Sequence, residues 1–140
     1  LLAQIQLTNY YISRINFKYT PESVEVDEKS LKIAHDIEFL ENNLVKVIVK
    51  CSVGDETGLL LNVILVGEFK ITRGNDADEE EIQELCENNT LAILFPYLRS
   101  AISDISLKAN TQPIILPTIN IYALIEDQKK AKKLEEELKQ

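Results

Sequence analysis

Few residues of this chain are of a kind that does acid–base, nucleophilic or metal chemistry, and none stands in the pattern such chemistry needs. His35 is the only histidine. It falls midway along an apolar alternation, with no serine or cysteine motif beside it to activate, and a general base needs a partner within hydrogen-bond reach. It reads as a packed histidine. The stretch from Asp76 to Glu87 is dense in carboxylates. It lacks the glycine and the ligand spacing of a calcium loop, so it reads as a solvated acidic helix. Gly54 and Gly58 enclose two acids and no lysine, which argues against a phosphate cradle. Cys51 lies in an apolar strand and Cys86 in the acidic segment, without metal-ligand spacing. They read as free thiols of a reducing compartment. No catalytic residue, metal or cofactor is expected, and the chain is not expected to be an enzyme.

What the sequence does offer is apolar surface. Residues 112–119 carry Ile114, Ile115, Leu116 and Ile119 around Pro113 and Pro117. Neither flanking helix can run through two prolines, so the segment is extended. It either plugs its own core or forms one wall of a groove open to a partner. The pattern alone leaves both readings open.

Four strands and two longer helices must position that segment. Residues 3–20 alternate, with Ile5, Leu7, Ile15, Phe17 and Tyr19 on the odd side. The contrast weakens between Asn9 and Ser13, which predicts a bend or bulge there. Thr20-Pro21-Glu22 ends the strand, and residues 21–29 read as an acidic loop. Leu31, Ile33, His35, Ile37 and Phe39 mark a second strand, and Glu41-Asn42-Asn43 a turn. Val45, Val47, Val49, Cys51 and Val53 mark a third. The link 54–57 leads to a fourth over 58–72, in which Gly67 signals a bulge or a close approach. Short turns predict an antiparallel meander. Asn75-Asp76 predicts the cap of a short helix that Asn88-Asn89 interrupts, and Thr90 the cap of a longer one over about 91–109. Leu91, Leu94, Phe95, Leu98, Ile102 and Ile105 form its apolar stripe, with Pro96 as a kink. A last helix, about 120–139, turns mixed-charge after Ile125 and is too poor in apolar residues for a coiled-coil seam.

The chain therefore reads as one α+β domain over 1–140: a four-stranded antiparallel meander (1–72), a short and a long helix (76–109) and a crossover (110–119). A C-terminal helix (120–140) completes it, and the two longer helices lie on one face of the sheet. A hydrophobic content of 45% suffices for a core. A net charge of −8 argues against non-specific nucleic-acid binding. No run is long enough to span a bilayer, so no membrane partner is expected and a cytoplasmic protein is. The chain contains no methionine, so its natural start is expected upstream of Leu1.

Order and spacing of several short pieces carry a resemblance. Phe95-Pro96-Tyr97 with Arg99, then Thr111 and Pro113, then Leu116, Asn120 and Ala123-Leu124 resemble the SecB export chaperones and their relatives. So do Gln4-Ile5-Gln6, the Gly54-Asp55-Glu56-Thr57 link, and Gly67 with Phe69. The resemblance implies a SecB-like α+β fold, and four chains assembled as a dimer of dimers. It implies a chaperone that hydrolyses nothing and holds unfolded polypeptides, either preproteins or an antitoxin, in long apolar grooves. Mapped here, the groove would use Leu31, Ile33, Ile114, Ile115, Leu116, Ile119, Ile121, Leu124 and Ile125. Contacts between chains would involve Arg99, Ser100, Ser103 and Asp104. Export members dock the motor SecA through carboxylates of strands one and four. At the matching positions stand Arg14, Lys18 and Asn62, with only Leu60 kept, so this docking is expected to be weakened.

Two other classes remain open beside the chaperone. A carrier of a small apolar ligand would use the same groove closed at one end. A structural interaction domain would expose no apolar surface.

Overall fold

The computed structural model describes residues 3–20, 31–54, 58–109 and 121–139. Strands β1 (Ala3–Tyr19), β2 (Lys32–Phe39), β3 (Leu44–Gly54) and β4 (Leu59–Arg73) precede helices α1 (Glu79–Lys108) and α2 (Ile121–Leu138). The strands make one antiparallel sheet in the order β1-β4-β3-β2. This is the expected α+β arrangement, with one correction. The meander is confined to β2, β3 and β4, whereas β1 joins at β4 and closes a Greek-key order. Alternation tells which side chains share a face, not which strand lies next door.

β1 contains the expected irregularities, two of them. Its register against β4 shifts between Leu7 and Asn9 and again between Ile12 and Arg14. Thr8 and Ser13 are thus the extra residues, and the Thr8 hydroxyl donates to the Glu68 carbonyl at 3.1 Å. Between the two shifts the phase inverts. Tyr10 and Ile12 pair with Gly67 and Leu65 and so join Ile5, Leu7, Ile15, Phe17 and Tyr19 on the helix side. Asn9 and Tyr11, odd-numbered residues, turn to the outer face.

The helix side of β3 and β4 is the core. Val45, Val47, Val49, Leu61, Val63, Leu65 and Phe69 are closed to solvent beneath Ile82, Cys86, Leu91, Leu94, Leu98 and Ile102 of α1. Gly67 sits where the helix comes closest. A Cβ there would lie 2.7 and 2.8 Å from the two methyl carbons of Leu94. Its role is therefore close approach rather than a bulge in β4.

α1 departs from the expected pair of helices: it runs unbroken through Asn88, Asn89 and Thr90. The Asn89 amide donates to the Leu85 carbonyl at 2.9 Å, and the buried Thr90 hydroxyl to the Cys86 carbonyl at 2.7 Å. Both side chains satisfy themselves on the preceding turn, so neither competes for a cap. The N-cap is Asp78, whose carboxylate accepts from the Glu81 N–H at 2.8 Å, and Glu79, Glu80 and Glu81 follow in the first turn. Pro96 stays inside the helix, where it has no N–H to offer the Ala92 carbonyl.

The turn at Asn42 and Asn43 has φ of 63° and 60°, a conformation asparagine tolerates better than most residues. Arg73 joins that turn to the start of α1. Its Nε donates to Asn43 Oδ1 at 2.6 Å, and its guanidinium pairs with Glu79. α2 is tied to α1 by Lys129, whose ammonium lies 3.0 Å from the Glu87 carboxylate. That hydrogen bond raises the lysine pKa.

Candidate functional site

α1 covers the sheet unevenly, and the unevenness defines the accessible apolar surface. On β3 and β4 every helix-side side chain from Val45 to Val53 and from Leu59 to Ile71 is buried. On β2 the same face stays half-open: Leu31, Ile33, His35 and Ile37 are half-buried and Phe39 is 44% exposed. Leu31, Ile33 and Ile37 still pack against the edge of the core, so they form a fixed apolar ledge rather than loose side chains. His35 lies in this row opposite Val49, as a packed residue.

Leu31 and Ile33 are the only expected groove residues whose side chains are described, and both lie on this ledge. Ile114, Ile115, Leu116 and Ile119 lie outside the described residues. Ile121, Leu124 and Ile125 fall within α2, but their side chains lie outside the description.

A second apolar strip runs along the opposite rim. Tyr10, Ile12, Ile15 and Tyr19 all face the helix side of β1 and are all exposed, Ile15 by 49%. Tyr10 stacks on Tyr97 of α1 with ring centroids 4.3 Å apart and planes tilted by 31°. Strict alternation puts Tyr10 and Ile12 on the wrong face. The signal that could have found them is the predicted bulge itself, since a single extra residue inverts the phase of the strand beyond it. Of the positions expected between chains, Ser100 and Asp104 are exposed and Arg99 and Ser103 half-buried, all on α1. The Ser103 carbonyl accepts from the Ser106 hydroxyl at 2.8 Å.

On the outer face the register brings the expected docking positions together. Lys18 pairs with Leu60, Asn16 with Asn62 and Arg14 with Ile64. Arg14, Asn16, Asn62 and Ile64 border a concavity of about 450 Å³ that also takes in Lys32, Ile33, Ala34, Lys50 and Ser52.

Both cysteines are buried, and burial pushes the Cys51 thiol up to about 12 and the Cys86 thiol up to about 11. Such thiols stay protonated at neutral pH. Among the described residues no cluster of three metal-ligating side chains occurs. No described helix is long and apolar enough to cross a membrane.

The subunit is thus α+β, with the centre of one sheet face sealed by α1 and apolar residues left open along both rims. Residues 3–132 match the family model "Preprotein translocase subunit SecB", and the chain belongs to that family. It is 29% identical over 130 residues to an uncharacterized protein of Methanocaldococcus jannaschii, covering 86% of this chain and 82% of that one. To the protein-export protein SecB of Nitrosococcus oceani it is 26% identical over 138 residues, 90% of this chain and 82% of the relative. To that of Burkholderia mallei it is 35% identical over 103 residues, 74% and 61%. In fold it is similar to the SecB-like chaperone Rv1957 of Mycobacterium tuberculosis, solved in complex with a peptide from the HigA1 antitoxin. The TM-score is 0.63 at 13% identity, over 83% of this chain and 88% of that one. By family the chain is a non-enzymatic chaperone.

Proposed function

We propose that this protein is an ATP-independent holdase that binds non-native polypeptide along the β2 ledge and keeps it from aggregating. The observation that carries the reading is the half-open row Leu31, Ile33, Ile37 and Phe39 beside a sealed core. An unfolded client exposes apolar side chains, and a fixed aliphatic ledge buries them without selecting a sequence. In this reading Ile114, Ile115, Leu116 and Ile119, with Ile121, Leu124 and Ile125, supply the facing wall. Replacing Ile114, Ile115 and Leu116 together by serine should abolish suppression of client aggregation and leave the far-UV circular dichroism intact. Full protection by that variant refutes the groove.

The client is either a preprotein or an antitoxin, and the outer face favours the second. Arg14, Lys18 and Asn62 stand together where export members are expected to carry carboxylates, and a basic motor segment would be repelled there. Tight, salt-sensitive retention of SecA on the immobilised protein would restore the export role. Assembly as a homotetramer in the cytoplasm completes the proposal. The open β1 rim, with Tyr10, Ile12, Ile15 and Tyr19, and the α1 positions Arg99, Ser100, Ser103 and Asp104 would lie between chains. Several grooves on one particle raise the effective concentration of weak contacts. A monomeric mass by light scattering at micromolar concentration would remove this part.

A further inference from the structure

The outer face of the sheet, opposite the surface assigned to clients, is divided in charge along its length. The register sets its side chains in rows across the four strands. One row reads Asn9, Glu68, Lys46 and Glu38, so Lys46 stands between two carboxylates. The row Tyr11, Val66, Ile48 and Asp36 ends on another acid. Beyond it the described rows carry no acid. The next row is Arg14, Ile64, Lys50 and Ala34, and the one after is Asn16, Asn62, Ser52 and Lys32. Lys18 and Leu60 come next. Four cations thus share one end of the face, and no described carboxylate stands in their rows, in a chain whose net charge is −8. Arg14, Lys32 and Lys50 line the concavity, whose surface is mostly apolar and to which Asn16, Asn62 and Ser52 add amide and hydroxyl groups.

Arg14 and Lys50 are two strands apart, about 10 Å, and successive rows along a strand are about 7 Å apart. An extended peptide with acids at alternate positions repeats at that same spacing. A long polyanion fits less well: it would run on over Asp36, Glu38 and Glu68, against the field of an acidic protein.

We propose that the Arg14, Lys18, Lys32 and Lys50 end of the outer face is a docking site for a short carboxylate-rich segment of a partner protein. It faces the other side of the sheet from the client ledge, with Ile33 of that ledge also lining the concavity. The test is fluorescence anisotropy of a labelled Glu/Asp-rich peptide with the full chain, at low and at physiological ionic strength, beside single-stranded oligo-dT of equal charge. The peptide should bind, and more weakly as salt rises. Arg14→Glu with Lys50→Glu should weaken it by about tenfold or more, and the milder Arg14→Gln with Lys50→Gln by less. Lys70→Glu with Lys108→Glu makes the same change in net charge elsewhere and should have little effect. Equal weakening by both pairs, tighter binding of oligo-dT, or no binding at low salt would each overturn the proposal. So would a tenfold gain when Glu22, Glu25, Asp27 and Glu28 become glutamine, since that would assign the site to the chain's own connection.

Discussion

The two middle strands and the two outer strands carry the same alternation, yet they end in different environments. β3 and β4 lie under α1 and bury every helix-side residue. β1 and β2 present equally apolar residues on the same face and leave them half-covered or exposed, because one helix is narrower than four strands. A helix about 10 Å wide spans roughly two strand spacings. Burial therefore concentrates in the centre of the sheet, and open apolar surface at its rims.

Mutation should separate the two regions sharply. Leu94→Ala, on the sheet-facing side of α1 and against Gly67, removes a fully buried side chain and should cost about 2–5 kcal/mol in urea unfolding. A cost below about 1 kcal/mol would mean that the centre is no better packed than the rims.

The thiols of the centre make a second probe. Their folded pKa values lie above the ordinary 9.0, so the folded state holds protons that the unfolded state releases. Their contribution is fully present below pH 9 and is lost as pH rises through about 11 for Cys86 and about 12 for Cys51. The slope should be on the order of 1.4 kcal/mol per pH unit for each thiol. Urea midpoints at about pH 8, 9, 10 and 11 measure it, and Cys51→Ala with Cys86→Ala should flatten the curve. An unchanged slope in the variant would place the titration elsewhere.

Smaller effects belong to the rims. A double-mutant cycle on Tyr10 and Tyr97 should return about 0.5 kcal/mol, toward the low end for aromatic pairs because both rings are exposed. Ile15→Ala should change subunit stability by less than about 0.5 kcal/mol. It should nonetheless lower the mass seen by light scattering at micromolar concentration. Stability loss without any loss of assembly would reverse the roles given to centre and rim.

The strands and their faces were legible because period two is a direct imprint of the pleat. Even the bend in β1 was, from the weakened alternation between Asn9 and Ser13. Its effect on the faces was not: two extra residues invert and then restore the phase, which is why Tyr10 and Ile12 fall on the side that alternation does not give them. The neighbour of β1 was not legible either. Pairing with β4 is a long-range choice that no local pattern records, although a connection over residues 20–31 is already too long for a tight hairpin. The split of α1 failed for a chemical reason. Asn89 and Thr90 resemble cap residues, but mid-helix they turn back onto the carbonyls of Leu85 and Cys86. Of the candidate site, the β2 ledge was readable from Leu31, Ile33 and Ile37. The division of charge on the outer face was not, since it emerges only when four strands are set in register.

β1 uses 17 residues to run beside 15 of β4. Such slack on one rim makes that strand coil where its neighbour runs straighter. Removing Thr8 and Ser13 would equalise the two lengths without turning any inward side chain outward, because the remaining residues already alternate in the required order. The chain would then have a flatter border to its sheet, one that another strand could lie against along its whole length.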